Sequence, residues 1–361
     1  ASVGARPGNI FVAAPHVSVI NPIIHEGGIG LMAYDTASDL IYYGAISFNN
    51  GWADDNQGGG QNMYIHSRDK LIRHNVFAGS FKRSVAVYTT NATIENINLQ
   101  ENIVFERTGL MFGGNATEGK VISGSLINNH VLNRAIVCGY DCDNNELITV
   151  QGNRVYAPGV VGLHMAYFKN IVNSGNKITA GGDPSESGYQ GQLLTMVNPS
   201  VYPAVTWGIN NNEYHYIGSA PLKFVNSEGF AAYSFAQWQA EGHDADSTYD
   251  EVLPTVNELF VYPNEYPDVD DMRMGIVVIW NWEGGATVAV DLTALGLEIG
   301  TTYRWRQAQD PLVDIDTWVC DGNSHTFAMT GHTVALPIGF DEELVPTQFP
   351  TFGCFIIEKV V

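Results

Sequence analysis

The amino-acid sequence predicts an all-β protein: a right-handed parallel β-helix, a solenoid of stacked coils, followed by a C-terminal antiparallel β-sandwich. Three observations carry that expectation. An asparagine followed two positions later by an apolar or aromatic residue recurs at near-constant intervals through the first 215 residues. Between these asparagines lie short, β-branched-rich apolar stretches without the 3.6-residue periodicity of helices. From about residue 256 the strand-like segments lengthen and are punctuated by Gly284-Gly285 and Asp321-Gly322, a sandwich pattern.

The repeat defines the first part of the chain. Its members are Asn50-Gly-Trp52, Asn75-Val-Phe77, Asn102-Ile-Val104, Asn129-His-Val131, Asn153-Arg-Val155, Asn176-Lys-Ile178 and Asn212-Glu-Tyr214. They are spaced by 25, 27, 27, 24 and 23 residues, then by 36 across an insertion. Helical repeats and leucine-rich repeats do not fit, because neither their helical period nor a leucine ladder is present. In a β-helix each repeat is one coil, and roughly eight coils stack at ~4.8 Å through strand hydrogen bonds. The asparagine is expected in a tight turn between two strands. There its short side chain tolerates left-handed geometry and can bond to the next asparagine in a ladder. A second register of strands, Leu31–Tyr34, Met63–His66, Val85–Tyr88, Leu110–Gly113, Ile136–Gly139 and Leu163–Ala166, is expected to share one sheet.

The β-helix is therefore expected over residues 1–217 and a connector with a short helix near Ser234–Trp238 over 218–255. The sandwich follows over 256–361, with strands at Leu259–Tyr262, Gly275–Trp282, Thr287–Leu292, Thr302–Trp305, Thr317–Val319, Thr333–Leu336 and Phe352–Val360. Cys138 with Cys142, and Cys320 with Cys354, form one local pair in each half, which reads as one disulfide per domain, with four buried free thiols as the alternative set by redox compartment.

Composition excludes several function classes. The 361 residues carry 17 Lys+Arg against 38 Asp+Glu, a net charge of −21. Nucleic-acid binding and attachment to anionic membranes both depend on clustered basic charge, so neither is expected. No apolar run approaches the ~20 residues of a membrane span. Ala1-Ser2-Val3-Gly4 has no basic or apolar leader pattern, so a signal peptide is absent or already removed. An acidic, lysine-poor surface suits an extracellular or cell-surface setting. Asn91-Ala-Thr and Asn115-Ala-Thr match the glycosylation triplet.

The stretch Gln61–Tyr156 resembles bacterial right-handed β-helix repeat proteins, a superfamily with many polysaccharide lyases and glycoside hydrolases. Trp238-Gln-Ala-Glu-Gly242-His-Asp244-Ala-Asp-Ser247 looks like the connector that follows such solenoids. Val277-Val-Ile-Trp-Asn281-Trp, Val288-Ala-Val-Asp-Leu292 and Tyr303-Arg-Trp-Arg-Gln-Ala-Gln-Asp310 resemble the C-terminal sandwich modules of carbohydrate-active enzymes. The resemblance implies a secreted protein acting on an extended polysaccharide, as lyase or hydrolase. A non-catalytic glycan-binding or adhesin-like solenoid and a structural fibre protein are the alternatives. Neither the Asp-Asp with Gly-His-Gly signature of polygalacturonase-like hydrolases nor the Trp-x-Asp-His signature of pectate lyases is present, so no catalytic residue carries over by motif.

Residues at or just after the second strand register would form a lateral row. His66, Asp69 and Asp141 are the candidates for acid or base work, although His66 fits a satisfied solenoid histidine at least as well. Tyr34, Asp35, Arg68, Tyr88, Tyr140, His164 and Tyr167 are the candidates for holding sugar rings and their hydroxyls. Each tyrosine equally fits a stacked residue covering the solenoid, and Asp35, Asp69, Asp141 and Asp143 fit turn residues bonding their own backbone. The loop Trp52-Ala-Asp54-Asp55-Asn56-Gln57-Gly58-Gly59-Gly60 is oxygen-rich enough for Ca²⁺, yet also reads as a plain flexible loop. Asp268-Val-Asp-Asp271 reads as a solvated turn.

Overall fold

The computed structural model describes residues 6–53, 59–115, 118–140, 142, 145–181, 192–197, 206–218, 223–226, 231–266, 272–313, 316–322 and 324–360. The chain winds through three parallel sheets, here called the A, B and C faces. The A face has ten strands, from Ile10–Val12 through Gln61–Ile65, Arg83–Val87 and Leu110–Phe112 to Phe224–Asn226, closed by the antiparallel Ala231–Tyr233. The B face has eight, Ser18–Ile20 to Thr206–Asn210, and the C face nine, Ile23–His25 to Thr248–Asp250. Each strand pairs with the strand one coil on, so a side chain that points inward in one coil meets an inward one in the next. Leu31 lies beside Met63, Met63 beside Val85, and Ile136 beside Leu163, all in one interior core. The second strand register occupies the A face as expected.

The asparagine ladder runs along the turn from the B to the C face. Side-chain Nδ2 of Asn75 donates to Oδ1 of Asn102 at 2.9 Å, Asn102 to Asn129 at 2.9 Å, and Asn129 to Asn153 at 3.0 Å. Asn153 continues to Asn176 at 2.9 Å and Asn176 to Asn212 at 3.1 Å. In each of these steps the backbone N–H of the donor residue bonds to the same Oδ1. Asn50 is not a member: Ala45 occupies the corresponding position one coil earlier, and Asn50 ends a C-face strand, aligned with Ser80. The left-handed residue is also not the asparagine but the one before it. His74, Glu101 and Asn128 have φ of +54°, and Gly152 and Gly175 +66°. The asparagine amide is thereby left extended enough to reach the next coil.

The ladder ends on a carboxylate. Asn212 Nδ2 donates to Asp244 Oδ1 at 3.0 Å, and buried Asp244 also accepts from Trp238 Nε1 at 2.8 Å, Tyr214 OH at 3.0 Å and Ser247 Oγ at 2.5 Å. Trp238 sits on the short helix Phe235–Ala240, started by a capping box between Ser234 and Gln237. Its ring stacks on Phe224 at 5.6 Å. The helix therefore closes the solenoid, and sheet pairing continues past residue 217 through Phe224–Asn226 and Thr248–Asp250.

The sandwich is an antiparallel five-stranded sheet, ordered Glu258–Pro263, Arg273–Trp280, Phe352–Lys359, Thr302–Gln307, Asp316–Val319, with a two-stranded pair of Thr287–Asp291 and Ser324–Ala328. Residues 333–336, expected as a strand, are irregular, and Ser324–Ala328 takes that place as the partner of Thr287–Asp291. The continuous apolar run Ile276–Trp280 is explained by burial on both sides of its strand. Val277 and Ile279 face the two-stranded pair with Val288, Val290, Phe327 and Trp305. Ile276, Val278 and Trp280 face the solenoid, sharing a core with Ile46, Phe48, Val76, Ile103, Phe105 and Leu132 of the C face. Alternation in the C-face strands sends Phe77, Val104 and Val131 inward and their neighbours outward into this second core.

Polar contacts lock the junction. Arg73 bonds Glu101 at 2.8 Å and Glu265 at 2.9 Å, while His74 Nε2 meets Glu101 at 2.8 Å and Nδ1 meets Tyr43 OH at 2.9 Å. The hydrogen bond to His74, aided by Arg73, lowers the Glu101 pKa to about 2 from 4.5. A lowered carboxylate pKa stabilises the fold above the unfolded value and loses that contribution as pH falls through the folded one. The urea midpoint is expected to fall between about pH 4.5 and pH 2. Glu101→Gln should be less stable at pH 6 and lose less on acidification; an unchanged acid slope in that variant would remove Glu101 from the account.

All four cysteines are buried thiols, and neither expected disulfide is present. Strand register forbids the second one. Cys320 N–H bonds Thr301 O and Ala308 N–H bonds Cys354 O, so the two cysteines lie at opposite ends of the strand Thr302–Gln307. Seven residues of strand span ~23 Å, whereas a disulfide needs its Cα atoms within ~7 Å. Cys138 aligns with Phe112 and Met165 and points into the solenoid core, where burial pushes its thiol pKa up. Cys142 is buried beyond that strand.

Candidate functional site

The C face is covered by the sandwich, and the B face presents polar and charged residues such as Arg68, Glu95 and Asn96. The A face differs. Its outward row, one residue per coil, reads Phe11, Met32, Tyr64, Ala86, Met111, Val137, His164, Thr195. Two residues further along the strand register come Tyr34, His66 and Tyr88, whose backbones continue the pairing: His66 N–H bonds Ala33 O and Tyr88 N–H bonds Ile65 O. The rings form one chain. Phe11 meets Tyr34 at 5.5 Å, Tyr34 stacks on His66 at 4.6 Å, and Tyr64 lies 5.7 Å from Tyr34 and 6.5 Å from Tyr88. Tyr140 meets Tyr88 edge-on at 6.2 Å. It reaches back across Gly113 and Gly139, where a Cβ on Gly113 would lie 2.7 Å from Gly139 Cα.

Beside Tyr34 and Tyr64 of this chain stands a polar node. Ser67, left-handed at φ +74°, turns its Oγ between His66 and Asp35. Its hydroxyl donates to Asp35 Oδ1, and His66 Nδ1 lies 3.1 Å from Ser67 Oγ and 3.3 Å from Asp35 Oδ1. With the serine proton committed to Asp35, Nδ1 must carry the imidazole hydrogen, and Nε2 is left as the basic nitrogen. Burial lowers the His66 pKa against the opposing pull of Asp35, which favours the neutral ring. Such an imidazole can accept a proton at Nε2. Beneath it, buried Lys70 donates to Arg68 O at 2.9 Å and Tyr34 O at 3.4 Å, and burial lowers its pKa to about 8.

Beside the rings lies a concavity of about 220 Å³ lined by Gln61, Lys82, Arg83, Ala86, Tyr88, Met111 and Tyr140. Ala86 is the short rung between Tyr64 and Met111 in the outward row, so the dip follows from one small residue.

Tyr34, Asp35, His66, Tyr88 and Tyr140 are thus brought together. Asp69 and Arg68 fall on the B-face strand, where Asp69 accepts from Asn96 Nδ2 at 2.9 Å. His164 shares the outward row but stands four coils from Tyr64, ~19 Å at the sheet spacing, and burial lowers its pKa to about 4. Tyr167 follows the same strand at the turn into the B face. Asp141 and Asp143, the loop residues 54–58 and Asp268–Asp271 lie outside the described residues. Among the described residues no group of three or more His, Cys, Asp or Glu could hold a metal ion, and no helix is long and apolar enough to cross a membrane. Sequence reasoning missed Tyr64, Ser67, Lys70, Lys82 and Arg83. Tyr64 was legible, because alternation in Met63-Tyr-Ile-His66 puts Tyr64 and His66 on the same side.

By architecture the chain is a parallel β-solenoid whose third face is covered by its own C-terminal sandwich. No protein-family model, no curated protein and no solved structure matches it.

Proposed function

We propose that the protein acts on an extended polysaccharide held along the A face, as a lyase or glycoside hydrolase at the cell surface or outside the cell. The observation that supports this reading is the continuous ring chain from Phe11 through Tyr34, Tyr64 and Tyr88 to Tyr140 beside a neutral imidazole. Residues one coil apart repeat at ~4.8 Å, so rings on successive coils can follow a sugar chain. His66 Nε2 would serve as the base and Asp35, through Ser67, as the group that orients it.

Reducing-sugar release and the absorbance of unsaturated products, measured over a polysaccharide panel, test the reading. Turnover of one polymer is expected. Binding without turnover would favour the non-catalytic, adhesin-like alternative, and neither binding nor turnover would remove the glycan altogether. Tyr88→Ala with Tyr140→Ala is expected to weaken binding by roughly tens-fold, at about 1 kcal/mol per lost ring contact. Both rings lie outside the solenoid core, so melting should be unchanged; unaltered affinity would mean that the glycan uses another face.

A further inference from the structure

The concavity floored by Ala86 is lined by two cations in a chain of net charge −21. The chain carries 38 acidic side chains and 17 Lys+Arg, and cations such as Arg6, Arg73, Arg154, Lys177, Lys223 and Lys359 are paired with carboxylates. Lys82 and Arg83 are adjacent, both line the concavity, and neither forms an ion pair with a carboxylate among the described residues. Arg83 is held in place by uncharged neighbours: Nε donates to Thr108 Oγ1 at 3.3 Å and Nη1 rests on Met111 Sδ at 2.7 Å. The carboxylate nearest in charge effect is Glu106, which is fully buried and accepts from the backbone N–H groups of Ser84 at 3.1 Å and Val85 at 2.9 Å. It is therefore enclosed in the turn rather than presented to the concavity.

Two cations that form no salt bridge among the described residues, beside two tyrosine rings, form a site for a ring bearing negative charge. We infer that this concavity is a subsite for an anionic sugar unit, its carboxylate or sulfate oxygens held by Lys82 and Arg83 and its ring set against Tyr88 or Tyr140. The inference rests on the glycan reading above and specifies its substrate class. A volume of about 220 Å³ accommodates a single sugar unit, not a longer stretch of polymer. Arg83 presents a planar fork suited to two oxygens of one acidic group, and Lys82 a point charge. A polyanion approaching a chain of net charge −21 is repelled at long range, but at ~0.15 M salt screening acts over ~8 Å. Attachment then depends on the local pair.

The test uses matched polymers and the whole chain: polygalacturonate against its methyl ester for the carboxylate, dextran sulfate against dextran for the sulfate, with mannan and xylan as further neutral polymers. Binding is read by calorimetry or affinity electrophoresis at 0.15 M salt. One charged polymer is expected to bind at least tenfold more tightly than its neutral partner, and which pair shows the difference identifies the acidic group. Lys82→Gln with Arg83→Gln should abolish that preference at unchanged melting temperature. Arg83→Lys, which keeps the charge, should retain most of it and covers the case in which the double variant fails to fold. Equal binding of charged and neutral partners, or a preference that survives in the double variant, overturns the inference and leaves the glycan reading standing. Binding of no polymer at all overturns both.

Discussion

Replacing Asn129 with alanine is expected to lower the unfolding free energy by about 3–5 kcal/mol, since unpaired buried groups cost ~1–3 kcal/mol each. Asn129 is fully buried in mid-ladder. Its Oδ1 accepts from Asn102 N–H at 3.1 Å and Nδ2 at 2.9 Å, and its Nδ2 donates to Leu99 O at 3.0 Å and Asn153 Oδ1 at 3.0 Å. Alanine leaves Asn102 N–H and Leu99 O without these partners in a place that water does not reach, and it breaks a chain of amides polarised in one direction towards Asp244. Asn91→Ala, at an exposed position, should stay within about 0.5 kcal/mol of the parent. Urea unfolding of the two variants decides the matter; a loss below about 1 kcal/mol at Asn129 would show that the ladder accompanies the fold without holding it.

Trp280→Ala is expected to cost a similar amount, about 3–5 kcal/mol, for deletion of a large buried ring. Trp280 is 2% exposed and lies in the core shared by sandwich and solenoid. Its ring stacks on Trp282 at 5.3 Å and meets Phe352 edge-on at 4.8 Å. Its Nε1–H donates to His130 Nδ1 at 3.0 Å, and His130 Nε2 meets Tyr262 OH at 2.8 Å. Burial lowers the His130 pKa to about 3, so the ring is neutral and fully used by these two partners. Truncation removes packing and leaves His130 Nδ1 unpaired. Trp280→Phe, which keeps most of the apolar volume, should lose clearly less. The parent chain should unfold in one transition because the two parts share a core. The alanine variant is expected to unfold earlier, and an unshifted midpoint would mean that the sandwich only rests on the solenoid.

Much of the solenoid was legible because its signals are local and repeated. Asparagines every 23–27 residues from Asn75 to Asn176, and again at Asn212, marked one turn in each coil, and the apolar runs from Leu31–Tyr34 to Leu163–Ala166 marked one sheet. A single coil is not repeated evidence, and there the reading failed: Asn50 matches the pattern but ends a different strand. Where the left-handed residue sits was also beyond a count of asparagines, since the neighbour before the ladder residue absorbs the turn.

The site was legible only in outline. Strand alternation and register placed Tyr34, His66 and Tyr88 in one row, because residues equivalent in the repeat must stack. Three-dimensional packing alone decided that Ser67 swings between His66 and Asp35, that Tyr140 crosses two glycines to reach Tyr88, and that Ala86 leaves a dip beside Lys82 and Arg83. It also decided which face the sandwich covers. The contact between His130 and Trp280 joins positions 150 residues apart. No periodicity encodes such a pairing, because it depends on complementary side chains from two different sheets. By itself the sequence determined a repeating coil and the residues along each edge. Tertiary structure decided that the C face is closed by the sandwich, and so left the aromatic A face and the polar B face uncovered.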